Sequence, residues 1–154
     1  MANTDSFGER LLMAAAALSF ALAALHLVVI FVGAPGYTYF GAPGLGELAR
    51  QGSAAPALMT LVMVGAFGVF GLYALSGAHR VRRLPLLPAA LVAIGCIFTL
   101  RGAALCLELP ALVRGSASFP PRYAVFSAAS LVVGLVYLAG TARTWRGLRV
   151  GSRA

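Results

Sequence analysis

Four stretches of the chain stay apolar for long enough to leave water altogether. The first, LLMAAAALSFALAALHLVVIFV, runs from Leu11 to Val32, and the second, PALMTLVMVGAFGVFGLYALS, from Pro56 to Ser76. The third, LPLLPAALVAIGCIFTLRGAALCLE, covers Leu84 to Glu108. The fourth lies within FPPRYAVFSAASLVVGLVYLAGTA and has its apolar body from Tyr123 to Ala142. A helix rising 1.5 Å per residue crosses a roughly 30 Å hydrocarbon core in about 20 residues, and in lipid it satisfies its own backbone. Pro56, Pro85, Pro88, Pro120 and Pro121 fall at the starts of these runs, where a missing N–H costs least. The pattern predicts helices over about 11–32, 56–76, 84–108 and 121–142. The expected fold is an all-α membrane protein, a four-transmembrane-helix bundle forming one domain over residues 1–154.

Composition agrees. The chain is 60% hydrophobic and 10% charged, with a mean hydropathy of +0.90, whereas soluble domains carry roughly 25% charged residues. The net charge of +8 comes from arginine alone. A basic chain can signal nucleic acid, but these arginines sit in short segments between apolar runs, where topology signals belong. No nucleic-acid partner is expected. Arg10, Arg80, Arg82, Arg83, Arg143, Arg146, Arg149 and Arg153 fall on one side, and Arg50, Arg114 and Arg122 on the other. The positive-inside rule then puts both termini in the cytoplasm, with residues 77–83 and 143–154 as basic cytoplasmic segments and Trp145 as an interfacial anchor. A cleaved signal is the competing reading of the first run. Its length of about 22 residues exceeds the 7–15 of a signal core, and Asp5 and Glu9 precede it, so an uncleaved helix is expected.

Residues 33–55, the expected periplasmic connection, contain GAPG twice around YTYF. Gly and Pro punctuate turns, and Tyr37, Tyr39 and Phe40 suit a membrane–water boundary. The segment reads as a loop folded against the outer surface, with a short helix at LGELARQG; a lid over an outward-opening cavity is the alternative. Neither GAPG copy precedes a phosphate-binding lysine.

Polar residues inside the spans form stripes. In the fourth, Tyr123, Ser127, Ser130, Gly134, Tyr137 and Thr141 recur at steps of four and three, which places them on one face. In the first, Ser19, His26 and Gly33 are seven apart. In the second, Gly65, Gly68 and Gly71 allow close helix approach and are the expected face for a homo-oligomer. In the third, Arg101 lies about 10 Å below Glu108 on nearly the same face. Side chains lean toward their helix N-terminus, which predicts an Arg101 pointing deeper, toward an acceptor in the protein. A helix ending before Arg101 is the competing account.

Several chemistries are missing from the pattern. Cys96 and Cys106 are about 15 Å apart on one helix, too far for a disulfide, and no CxxC, HExxH or Cys–His cluster occurs. No catalytic residue, metal site or cofactor is expected. The segments GAPGYTYFGAP, PALMTL, GLYALSGA, RRLPLL and LRG, within residues 26–102, resemble a group of uncharacterised small bacterial four-helix inner-membrane proteins without assigned activity. That resemblance implies fold and a multi-pass inner-membrane location, and nothing about chemistry.

The expected site is an outward-facing polar pocket formed by His26, Arg101, Glu108, Thr60, Tyr37 and Tyr123. Arg101 would bind an anionic headgroup or carboxylate, Glu108 would orient it, and the tyrosines would cover it. Alternatives are a structural or scaffold subunit assembled through its glycines, and a small homodimeric proton-coupled transporter using His26. An enzyme acting on lipid comes last, because no nucleophile–base pair is recognisable.

Overall fold

The computed structural model describes the backbone of residues 2–115 and 120–150, and the side chains of residues 6–115 and 120–148. Arg153 lies outside the described residues, and Arg149 is described by its backbone only. Among the described residues every element is a helix: α1 Ala2–Val32, α2 Ala34–Tyr39, α3 Pro43–Arg50, α4 Ala55–Gly77, α5 Leu87–Gly102, α6 Leu105–Val113 and α7 Pro121–Val150. Four segments are long and apolar enough to cross a membrane: Ser6–Val32, Ala55–Gly77, Leu87–Val113 and Pro121–Leu148. Their outer surfaces carry large apolar side chains, with Phe31 87%, Leu100 77% and Val62 71% exposed. In water each such side chain would forgo about 1.5–3 kcal/mol of burial; against lipid tails it forgoes nothing. The chain is an all-helical, four-span membrane protein.

The third span is two helices rather than one. α5 ends at Gly102, and α6 starts at Leu105. Between them the backbone tightens, with the Cys106 N–H donating to the Ala103 carbonyl at 3.0 Å and the Leu107 N–H to the Ala104 carbonyl at 2.9 Å. Such i→i+3 bonds are the tighter helical geometry common at helix ends. Arg101 therefore stands in the last turn of α5, and the apolar rod continues past it through Glu108 to Val113.

The connection before α5 explains why that helix begins at Leu87 and not at Leu84. Leu86 adopts φ 52°, ψ 26°, a left-handed conformation that no helix continues through. Ser76, buried at the end of α4, organises the segment: its hydroxyl donates to the Arg82 carbonyl at 3.1 Å and accepts the Leu84 N–H at 3.0 Å. The Tyr73 hydroxyl donates to the Pro85 carbonyl at 3.3 Å, and the Arg83 guanidinium donates to the Leu148 carbonyl near the end of α7. Ser76→Ala leaves the part-buried Leu84 N–H and the Arg82 carbonyl without their shared partner. It should lower stability by about 1–3 kcal/mol, read as a fall in the denaturation midpoint of the detergent-solubilised protein.

Residues 33–55 hold two short helices. α1 stops at Gly33, whose φ of +72° is one that residues with a Cβ rarely adopt. Pro35 and Pro43 stand in the first turns of α2 and α3, the positions proline tolerates best. On α3, Glu47 accepts from Arg50 Nη2 at 2.8 Å and Nε at 3.0 Å, and from Gln51 Nε2 at 3.2 Å. The Arg50 and Gln51 hydrogen bonds hold its carboxyl below the usual carboxylate range.

Two compact units divide the chain, one of Met1–Ala16 with Leu72–Ala154 and one of Ala17–Gly71. In the first, α5 and α7 run antiparallel with almost no space between their backbones. A Cβ at Gly95 would meet the Leu138 side chain at 2.7 Å, and one at Gly102 would meet the Leu131 N at 2.5 Å. One at Gly134 would meet the Thr99 N at 2.5 Å. The beginning of α1 joins them, since a Cβ at Gly140 would lie 2.9 Å from Leu12 Cγ. Leu12, Leu87, Leu91 and Tyr137 make the core of this unit. In the second unit the Phe20 ring covers Gly71, where a Cβ would sit 2.7 Å from the ring.

The polar stripe of the fourth span is the buried face of α7. Ser127, Gly134, Tyr137 and Thr141 are buried, Tyr123 and Ser130 half-buried, and Val125, Val132 and Leu135 exposed. Three of its hydroxyls bond within their own helix: Ser130 to the Phe126 carbonyl at 2.9 Å, Thr141 to Tyr137 at 2.7 Å and Thr144 to Gly140 at 2.9 Å. They serve as small packing groups that carry their own acceptor.

Candidate functional site

The residues nominated from the sequence fall in both units. His26, Tyr37 and Thr60 belong to the unit Ala17–Gly71; Arg101, Glu108 and Tyr123 belong to the other.

In the smaller unit the polar groups are committed to structure. His26 Nδ1 lies 2.8 Å from the Leu22 carbonyl of its own helix, and its ring packs against Phe67 at 4.8 Å between centroids. Thr60 Oγ1 lies 2.7 Å from the Pro56 carbonyl and 3.3 Å from the Tyr37 hydroxyl. One hydroxyl proton serves one acceptor; the shorter contact claims it, so Tyr37 supplies the proton of the longer one. Both residues are buried, and the pair ties α2 to the second turn of α4.

The larger unit holds a different arrangement. Arg101, expected to point into the protein, is exposed; its Nη1 donates to Ser127 Oγ at 3.1 Å. Ser127 is fully buried. Its hydroxyl turns to a neighbouring helix, whereas those of Ser130, Thr141 and Thr144 bond back to their own. Accepting from the guanidinium leaves the Ser127 hydroxyl its own proton to donate. Tyr123, one turn earlier on α7, lies under the Arg122 guanidinium at 5.2 Å from its ring centroid.

Register fixes the direction of Arg101. Gly95 faces Leu138 and Gly102 faces Leu131, so the Arg101 backbone is level with about residue 132 of α7. Ser127 stands five residues nearer the start of α7, or about 7 Å along the axis. The side chain thus climbs toward the start of α7, opposite to the lean expected from helical geometry alone.

Glu108 is the buried residue of α6, which packs on α7. It is 7% exposed, and its Oε2 has no hydrogen-bond partner. The expected Arg101–Glu108 pairing is not made; among the described residues the ion pair present joins Arg50 and Glu47. A buried carboxylate left unpaired is costly, since desolvation of an ion in protein amounts to several kcal/mol. That expense separates Glu108 from the self-satisfied hydroxyls around it.

No family model, curated protein or solved structure matches the chain. The reading therefore rests on geometry.

Two open recesses occur elsewhere. One of about 320 Å³ is lined by Val28, Val32, Pro35, Tyr39 and Phe40 among others, and one of about 480 Å³ by Val92, Leu138, Thr141, Ala142 and Trp145. Both are apolar, and neither contains a nominated residue. Among the described residues no cluster of His, Cys, Asp and Glu could hold a metal; Cys96 and Cys106 are free and exposed. Sequence reading had Ser127 on its stripe without a role. The missed signal is its level, for it is the stripe hydroxyl within an arginine's reach of Arg101.

Proposed function

We propose that the chain is a multi-pass protein of a bacterial inner membrane, both termini cytoplasmic, that binds a small anionic group through Arg101 and Ser127. The observation carrying this reading is a guanidinium within a membrane-spanning segment whose hydrogen bond goes to a neutral hydroxyl. A guanidinium has five donors in a fork suited to carboxylate or phosphate, and a neutral partner leaves its charge uncompensated. Intramembrane charges mark ligand or ion positions by default. His26, Tyr37 and Thr60 stay out of the proposed site because their hydrogen bonds hold the fold.

Ethyl phosphate or a short-chain phosphatidate tests it. At a hundredfold excess over Kd, either should stabilise the purified protein by about 2.7 kcal/mol, seen as a rise in thermal midpoint. Arg101→Ala should show no rise while its circular dichroism stays helical. An equal rise in the variant sinks the reading.

A second reading, a subunit that assembles with copies of itself, draws on one feature. A Cβ at Gly65 or Gly68 meets nothing within 4 Å, so that face of α4 is open to a neighbouring helix. Gly71 differs, because the Phe20 ring already occupies its space. Gly68→Leu should then change the mass measured in detergent.

A further inference from the structure

We propose that Glu108 completes the Arg101–Ser127 site and makes it selective for a zwitterion, a phosphate or carboxylate joined to an ammonium a few ångströms away; the inference rests on the anion-binding reading above. Three observations carry it. Glu108 is more than nine-tenths buried, and its Oε2 lacks any partner. The guanidinium of Arg101 reaches Ser127, whose level on α7 corresponds, in the antiparallel register of Gly95 with Leu138 and Gly102 with Leu131, to about residue 106 on the α5–α6 rod. Along the helix axis the cationic head thus lies within about one turn of Glu108, yet the two make no ion pair; among the described residues that contact belongs to Arg50 and Glu47.

Arg101 is an exposed residue and Glu108 a buried one. A guanidinium and a hydroxyl proton thus stand at one level of the rod, and a carboxylate about one turn away along it. An anion alone would satisfy Arg101 and Ser127 and bring a second negative charge toward Glu108, which repels it. A simple amine would satisfy Glu108 and face Arg101. A molecule carrying both groups satisfies all three side chains at once and brings one unit less negative charge than the matched anion. The last torsion of a glutamate is broad and nearly two-fold, so either carboxylate oxygen can be turned to the ammonium. Two sources offer this chemistry, the phosphoethanolamine headgroup of a membrane lipid and a free small zwitterion.

The test compares matched probes on the full-length protein in detergent by thermal midpoint. Dihexanoyl phosphatidylethanolamine is set against dihexanoyl phosphatidylmethanol, which keeps the phosphate and lacks the ammonium. O-phosphoethanolamine is set against ethyl phosphate in the same way. Wild type should be half-stabilised at least tenfold lower in zwitterion than in the matched anion. Response to both zwitterions assigns a free molecule, and response to the lipid alone assigns a headgroup. Glu108→Gln should abolish the preference while still binding the anion, and Arg101→Gln should bind neither. Equal affinity of wild type for zwitterion and anion overturns the proposal and leaves the anion site standing; this comparison holds even where Glu108→Gln does not fold. Retention of the preference in Glu108→Gln also overturns it. Binding unaffected by Arg101→Gln removes both readings.

Discussion

Gly102→Leu should be the most damaging single substitution in the membrane-spanning part. A Cβ there would lie 2.5 Å from the Leu131 N and 2.6 Å from its Cα, so the obstacle is backbone, with no flexible tip to move aside. Overpacking costs about 1–3 kcal/mol and sometimes more, and this case belongs at the top of that range because α5 and α7 must separate along their length. Separation also carries Arg101 away from Ser127, so binding should be lost with stability. Gly65→Leu is the control. Nothing lies within 4 Å of its Cβ, and exposed changes of this kind usually stay within about 0.5 kcal/mol. Equilibrium unfolding in mixed micelles checks both; equal tolerance of the two substitutions would contradict the α5–α7 contact.

Arg101→Leu should uncouple stability from binding. A hydrogen bond from a charged group contributes about 1.5–3 kcal/mol, and removing it destabilises. Removing the charge itself from a membrane span recovers up to about 2.5–3.5 kcal/mol at the helix centre and less near an interface. The two terms nearly cancel. The ligand-free variant should therefore match wild type within about 1 kcal/mol, while the ligand-dependent increment of about 2.7 kcal/mol at a hundredfold excess disappears entirely. Were the arginine a structural member of a buried ion pair, its loss would cost 3–5 kcal/mol. Parallel melts of both proteins, with and without ethyl phosphate, separate these outcomes.

The four spans were legible because their signal is summed over about 20 residues, and no competing packing can reverse so large a sum. The buried stripe of α7 was legible for the same kind of reason: its four-and-three spacing allows one face only. Local detail was harder. GAPG around YTYF reads as turns, and the same prolines start helices at Pro35 and Pro43. The step between α5 and α6 falls on Ala103 and Ala104, two good helix formers, so composition carries no trace of it. The direction of Arg101 was misleading, because the rule for helical side chains holds until a neighbouring acceptor outweighs it, and Ser127 lies the other way. Nor does sequence reveal that Glu108 goes unpaired, since pairing depends on ångströms of reach across a tightened turn.

Gentle extraction followed by native mass spectrometry tests the central claim most directly. Wild type should retain an adduct that carries a phosphate or carboxylate, and Arg101→Leu, prepared identically and equally folded, should have lost that adduct alone. The same adduct on both proteins, or none on wild type at any detergent concentration that preserves its fold, would contradict a guanidinium site at Arg101 and Ser127.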